Sequence, residues 1–305
     1  MNDLNFDSEE INKTYSPDFA MAYWSWVFKQ EWYSENDKPM IDFIFWVENT
    51  KDWHLMNLQK NSKDYYFLVK LFWIWYVEFL QKIQAKLYYN YYVDFDWSQI
   101  KYWVISKEDL INDLTNWSNM YVAWRLHKPV KIICSDPEIN KALNKNLFYA
   151  LNTALLLLPE NFTYYDLFMK IAWLSYLWDS RMKNWEDKNK VANIVNGNFD
   201  AFLELYKSIL ETRFNSTVTE LTWGQLQQDK SDLTNIISFL NLPSSLHQPF
   251  EHDINLQILQ LQVINSISWI VNKWSKSQTL KGIFTWWPVK SIKYWLEKLK
   301  KWRKK

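Results

Sequence analysis

Apolar residues cluster at strand spacing in the first third of the chain and recur at helical spacing through most of the rest. The run Met40-Ile41-Asp42-Phe43-Ile44-Phe45 is apolar except for one acid, which predicts a buried strand that carries a carboxylate. Residues 87–93 and 100–105 are aromatic and β-branched and flank the polar turn Asp94-Phe95-Asp96-Trp97-Ser98, a hairpin signal. From Ser106 onward helices dominate. Ser106-Lys107-Glu108-Asp109 places a capping serine ahead of Leu110, Ile111 and Leu114. Helical periodicity follows over 141–158, 164–174, 201–213, 233–240 and 256–271, with breaks near 129–137, 196–198 and 242–252. No internal repeat is present. The pattern predicts a mixed α/β unit over 1–135, a mostly helical unit over 136–280, and a distinct tail over 281–305.

That tail carries most of the charge asymmetry. Between Val289 and Lys305 eight basic residues (Lys290, Lys293, Lys298, Lys300, Lys301, Arg303, Lys304, Lys305) face one acid, Glu297, whereas the whole chain is only +1. Val289, Ile292, Leu296 and Leu299 recur at spacings of three, four and three, the apolar face of a basic amphipathic helix, and Pro288 suits its start. Such a helix fits an anionic membrane surface, with Lys290, Ile292, Lys293, Leu296, Leu299 and Lys300 as the contacting residues; a solvated helix is the plainer alternative. The longest purely aliphatic stretch, 154–158, is far too short to span a bilayer, so any membrane role is expected to be peripheral. The single Cys134 excludes a disulfide framework and a cysteine zinc cluster, and it fits a reducing compartment. The acidic, polar start resembles neither a signal nor a transit peptide, which favours a cytoplasmic protein attached to the inner face of a bacterial membrane.

Composition adds an anomaly. The 305 residues include 21 Trp and only 3 Gly, where about 7% Gly, or roughly 21 residues, is usual. Glycine serves backbone positions that few other residues fill, so its near absence is harder to explain than the tryptophan excess. Trp24-Ser25-Trp26, Trp73-Ile74-Trp75 and Trp286-Trp287 read as turn or loop elements, where glycine is at home. Trp178 and Trp185 precede polar, turn-like sequence in the same way. Trp53, Trp117 and Trp223 have plausible aromatic settings. The expectation is that about 18 of the tryptophans are UGA codons, read as glycine in the source organism. The alternative is a tryptophan-rich protein that binds sugars or a membrane interface.

With glycine at those positions the chain resembles one family over nearly its whole length. Tyr23-Trp24-Ser25-Trp26-Val27-Phe28-Lys29-Gln30 looks like Tyr-Gly-Ser-Gly-Val-Phe-x-Gln, and Ile41-Asp42-Phe43-Ile44 and Trp53-His54 follow it. Lys101-Tyr102-Trp103-Val104-Ile105-Ser106 looks like Lys-Tyr-Gly-Val-Ile-Ser. The stretch from Asn116-Trp117 to Ala123-Trp124-Arg125-Leu126-His127-Lys128-Pro129-Val130-Lys131 is similar to one ending Ala-Gly-Arg-Leu-x-Lys-Pro-Val-Lys. Leu174-Ser175-Tyr176-Leu177-Trp178-Asp179-Ser180-Arg181 resembles Leu-Ser-Tyr-x-Gly-Asp-x-Arg, and Lys281-Gly282-Ile283-Phe284-Thr285 with the basic tail completes the match. These motifs, in this order, resemble the mitochondrial translocator assembly and maintenance protein family, the peripheral-type phosphatidate cytidylyltransferases.

The resemblance implies an α+β fold. A polymerase-β-type nucleotidyltransferase domain with a mixed sheet is followed by a mostly helical domain and the basic C-terminal amphipathic helix. It implies transfer of CMP from CTP to phosphatidic acid, giving CDP-diacylglycerol and pyrophosphate for phospholipid synthesis, with Mg²⁺ as cofactor. In eukaryotes the family sits on the matrix side of the mitochondrial inner membrane. Trp24, Ser25 and Trp26 would then cradle the triphosphate and Asp42 would bind Mg²⁺ as the catalytic carboxylate. The superfamily's second carboxylate, two residues on, is replaced here by Ile44, which leaves Glu48, Asp94 and Asp96 as candidates. Lys101, Arg125 and Lys128 would meet the triphosphate or the lipid headgroup, and Lys131 a substrate phosphate unless it is structural. Tyr102 and Asn90 are candidates to touch the cytosine. Asp179 and Arg181 form either an ion pair or part of the site, and His54 and His127 are expected to be structural. CTP and phosphatidic acid are the expected partners, and no nucleic acid is expected. The rival readings are a nucleotidyltransferase of the same fold with another acceptor and a non-catalytic membrane-bound interaction protein.

Overall fold

The computed structural model describes residues 8–23, 40–95, 98–177, 189–222, 224–247 and 255–285. Five strands form a mixed sheet in the order β3-β4-β2-β1-β5: β1 Phe19–Tyr23, β2 Ile41–Val47, β3 Tyr88–Phe95, β4 Ser98–Ser106 and β5 Lys131–Cys134. β2 and β4 run parallel, and every other pair is antiparallel. The predicted hairpin is β3–β4, and the predicted acid-bearing strand is β2.

All seven residues of β2 are buried, so both faces of the sheet are covered. Alternation sorts them. Ile41, Phe43, Phe45 and Val47 pack with Ile11, Tyr15, Trp53, Tyr102 and Val104 on one face. Ile44 and Trp46 turn to the other, with Tyr23, Trp103, Ile105 and Leu110. Against the first face lie α1 Ser8–Tyr15, α2 Thr50–Lys60 and α3 Phe67–Lys82. The second face joins α4 Lys107–Asn116, α5 Pro137–Leu157 and the long α10 Leu256–Thr285 in one core that includes Ile139, Leu143, Val263 and Ile267. This core runs without interruption across the expected 135/136 boundary, and α10 runs across 280/281.

The remaining α-helices among the described residues are α6 Tyr164–Leu174, α7 Lys190–Asn196, α8 Phe199–Arg213 and α9 Asp232–Leu240. Side-chain caps set several starts. Ser106 Oγ accepts the Asp109 N–H at 3.2 Å, Asp136 Oδ1 accepts those of Glu138 and Ile139, and Thr163 with Asp166 forms a reciprocal capping box.

The structure departs from the sequence expectations in three places. Trp73-Ile74-Trp75 lies inside α3 and is not a turn. The stretch 129–137, expected to be a break, contains β5, which extends the main sheet. The helical region also holds a small second sheet of β6 Asn161–Thr163, β7 Val218–Glu220 and β8 Gln225–Gln228, in the order β6-β8-β7. Among the described residues no helix is long and apolar enough to cross a membrane.

Candidate functional site

Register places Asp42 between Tyr23 of β1 and Lys101 of β4, and cross-strand partners share a face. Lys101 Nζ lies 2.9 Å from Asp42 Oδ1. Asp42 is 7% exposed. Burial pushes its pKa up, against the pull of Lys101, Arg125 and Lys190. An acid held at a burial cost at the edge of a core is a candidate working group.

Two more cations come from the 3-10 turn Ala123–His127 and the residue after it. Arg125 Nε donates to the Tyr23 hydroxyl at 3.3 Å, and Nη1 donates to the Tyr121 carbonyl. Its guanidinium lies 4.1 Å from the Tyr121 ring centre and 5.7 Å from that of Tyr23. Lys128 is buried and donates to Ser175 Oγ at 2.7 Å and the Trp124 carbonyl at 3.3 Å. Burial, with the charges of Arg125 and Lys190, lowers its pKa to about 7. Lys190, at the start of α7, lies 5.5 Å from the Tyr176 ring that Lys128 approaches at 5.4 Å.

Lys101, Arg125, Lys128 and Lys190 thus gather with the carboxylate of Asp42, between the rings of Tyr23, Tyr121 and Tyr176. The arrangement suits a polyanion far better than a neutral ligand. Lys190 and Tyr23 carried no assigned role in the sequence; a lysine in a polar stretch gives no pattern to find. Trp24, Ser25 and Trp26, and Asp179 and Arg181, lie outside the described residues. Their segments follow directly on Tyr23 and Leu177, and the second ends just before α7.

Several sequence candidates are not brought to this cluster. Tyr102 and Asn90, the candidates for the cytosine, are register partners and are not brought to this cluster. Tyr102 is wholly buried on the opposite face of the sheet. Its hydroxyl donates to Asp64 Oδ2 at 2.9 Å and accepts from Asn57 at 2.8 Å and Asn90 at 2.7 Å. Lys131 is registered with Ala22, which shares that opposite face with Phe43. His54 bonds Tyr65 at 2.7 Å and Gln81 at 3.3 Å, and His127 bonds Asn146 at 3.1 Å. Burial lowers both pKa values to about 3, so both imidazoles are neutral and structural. The tail residues Lys290, Ile292, Lys293, Leu296, Leu299 and Lys300 lie outside the described residues.

For a metal, the described residues contain no group of three or more His, Cys, Asp or Glu. Glu48 is at the far end of β2 and pairs with Lys107 at 3.2 Å. Asp94 accepts from Gln99 at 2.9 Å, on a strand about 10 Å from β2 across two strand spacings. Asp96 lies outside the described residues. The donor set fits Mg²⁺ arriving with a nucleotide, because that ion keeps several waters and uses one or two carboxylates plus substrate phosphates. Of the carboxylates considered, Asp42 is the one that could hold it.

Comparison with known proteins matches residues 9–301 to the family model described as phosphatidate cytidylyltransferase, mitochondrial. A mouse protein of that name is 40% identical over 303 residues, covering 92% of this chain and 89% of its own length. A fission yeast protein of that name is 36% identical over 314 residues (93% and 80%), and one from Dictyostelium discoideum is 33% identical over 356 residues (96% and 83%).

Proposed function

The chain belongs to the mitochondrial phosphatidate cytidylyltransferase family, and from that premise we propose how its own residues carry the reaction. It is a nucleotidyltransferase that joins the CMP moiety of CTP to phosphatidate, making CDP-diacylglycerol for phospholipid synthesis. A phosphatidate oxygen attacks the α-phosphorus of CTP, the bond to the β-phosphate breaks, and pyrophosphate leaves. The observation that carries the assignment of residues is the convergence of Asp42 with four cations on one face of the sheet.

Arg125 offers a planar fork to two phosphate oxygens, and Lys101, Lys128 and Lys190 supply point charges around it. Together they hold the triphosphate in line and neutralise charge on the departing pyrophosphate. Asp42 would hold Mg²⁺, which would supply charge neutralisation at the phosphates when bound. The 24–39 segment, with Ser25, follows directly on Tyr23, the register partner of Asp42. The pairing of β1 with β2, the second of which bears the carboxylate, supports a polymerase-β-type domain. The test is pyrophosphate release from CTP by protein made with its source's own decoding, with and without phosphatidate and Mg²⁺. Release that ignores phosphatidate would point to another acceptor; no release at all would remove the assignment.

Phosphatidate stays in its bilayer, so the enzyme works as a peripheral protein on an anionic membrane, the mitochondrial inner membrane in eukaryotes or the inner face of a bacterial membrane. Residues 289–305 are the attachment: each Lys or Arg near such a surface contributes about 1 kcal/mol, and the apolar face adds burial. Removing 289–305 is expected to abolish flotation with phosphatidate vesicles while circular dichroism is unchanged. Flotation that survives the truncation excludes this role.

Lys128 gives the enzyme a pH dependence. With its pKa lowered to about 7, the ammonium is charged below that value and lost above it. CTP binding to the free enzyme is therefore expected to weaken between about pH 6 and about pH 8, and the Lys128→Met variant to lose that part of the slope. Equal slopes in titrations of both proteins would contradict it.

A further inference from the structure

Asp113 lies on the last turn of α4, is wholly buried, and touches neither Asp42 nor any of the four cations in the contacts described above. Both its oxygens are engaged by the loop that follows. Oδ1 accepts the N–H groups of Asn119 at 3.1 Å and Met120 at 2.7 Å; Oδ2 accepts those of Val122 at 2.9 Å and Ala123 at 3.0 Å. Four backbone donors on one carboxylate is the fixed-dipole counterpart of an anion nest, with the anion supplied by the protein. The loop needs such a partner. Trp117 and Met120 both have left-handed backbones, φ 50 and 56, so the chain there cannot satisfy its N–H groups by continuing the helix.

The skipped residue of this set is Tyr121. Its N–H goes instead to Asn119 Oδ1 at 2.8 Å. Tyr121 is also the residue that holds Arg125, through its carbonyl and through its ring at 4.1 Å. Asn146 braces the loop from the other side, donating to the Ala123 carbonyl at 3.0 Å. The path from Asp113 to the Arg125 guanidinium is therefore a short series of direct contacts, all within one loop.

We propose that Asp113 is a positioning residue for nucleotidyl transfer: its carboxylate fixes the 119–123 backbone so that Tyr121 presents Arg125 to the nucleotide phosphates. This rests on the reading of Arg125 as a phosphate ligand. Asp113→Asn keeps the shape but turns two amide hydrogens toward backbone N–H groups, which forces one half of the loop away. A displacement of about an ångström at a group that aligns phosphates costs on the order of 100-fold in rate.

The experiment is a double-mutant cycle of Asp113→Asn and Arg125→Ala in the full chain, with kcat and KM for CTP measured at saturating phosphatidate. The expected result is a loss of about 10- to 100-fold in kcat/KM for Asp113→Asn, with the double variant no slower than Arg125→Ala alone. Losses that multiply, or an Asp113→Asn enzyme equal to the parent, overturn the proposal. Should Asp113→Asn not fold, Asn119→Ala takes its place, since it removes the acceptor of the Tyr121 N–H; a smaller loss that vanishes in the Arg125→Ala background supports the proposal, and a loss that persists there overturns it. An Arg125→Ala enzyme with full activity would instead refute the phosphate-ligand reading beneath it.

Discussion

Asp42→Asn is expected to lower CTP turnover by about 1,000-fold or more, because it removes the carboxylate proposed to hold the metal and leaves four cations without their counter-charge. The magnitude comes from what the site is asked to do. Positioning and charge stabilisation supply nearly all the catalysis in phosphoryl transfer, and the amide neither binds Mg²⁺ strongly nor balances Lys101 at 2.9 Å. Stability should move the other way or stay level. Burial raises the folded-state pKa of Asp42 despite Lys101 and Arg125, so the ionised group costs stability at every pH above that value. Removing the charge relieves that cost but leaves Lys101 without its partner, so the melting point is expected to stay near the parent's. Steady-state assays paired with thermal melts check both halves. An inactive variant whose melting point collapses would reduce Asp42 to a structural residue, and a folded variant with undiminished turnover would remove it from the mechanism.

The hairpin, the acid-bearing strand and the long helices from Ser106 onward were legible because each is long enough to show its period and several carry side-chain caps; α3, apolar along most of its length, was not, and its Trp73-Ile74-Trp75 read as a turn. β5 and the three strands of the small sheet are three or four residues each, too short for alternation to register, and β5 sits between two prolines that read as a break. In the site, Asp42 stood out as the lone charge in an apolar run. Lys101 and Tyr102, by contrast, were both assigned to the nucleotide although neighbours on a strand face opposite ways. Strand alternation alone separates them and leaves Lys101 with Asp42. Lys190 and Asp113 were invisible for another reason: their roles depend on what the fold brings to them, and neither lies in a spacing that chemistry dictates.

Tryptophan at 103 and 124 is expected to keep the site closed, and glycine there, with glycine at 24 and 26, to open it. Trp103 lies on the Asp42 face, 6% exposed, with its ring 4.5 Å from Lys101 Nζ, 5.7 Å from the Arg125 guanidinium and 5.4 Å from the Tyr23 ring. An indole therefore occupies the space among the groups proposed to meet phosphate. Trp124 adjoins Arg125 and is 4% exposed. Trp46, on the same face, is buried with an indole N–H that finds no partner, a state native cores avoid. Trp53 and Trp117 differ: their indole N–H groups donate to the Tyr15 carbonyl and to Asn146, each at 2.8 Å. Packed and satisfied indoles mark positions built for tryptophan, and crowded or unsatisfied ones mark positions built for glycine. Protein isolated from its source is thus expected to yield peptides with glycine at 24, 26, 46, 103 and 124 and tryptophan at 53 and 117, read by mass spectrometry. A recombinant chain with tryptophan at 24, 26, 103 and 124 is expected to turn over CTP about 100-fold or more slowly than its glycine counterpart, since two indoles displace the triphosphate from its aligned position. Source peptides with tryptophan at 103 and 124, together with equal turnover by the two recombinant forms, would establish the aromatic site as the native one.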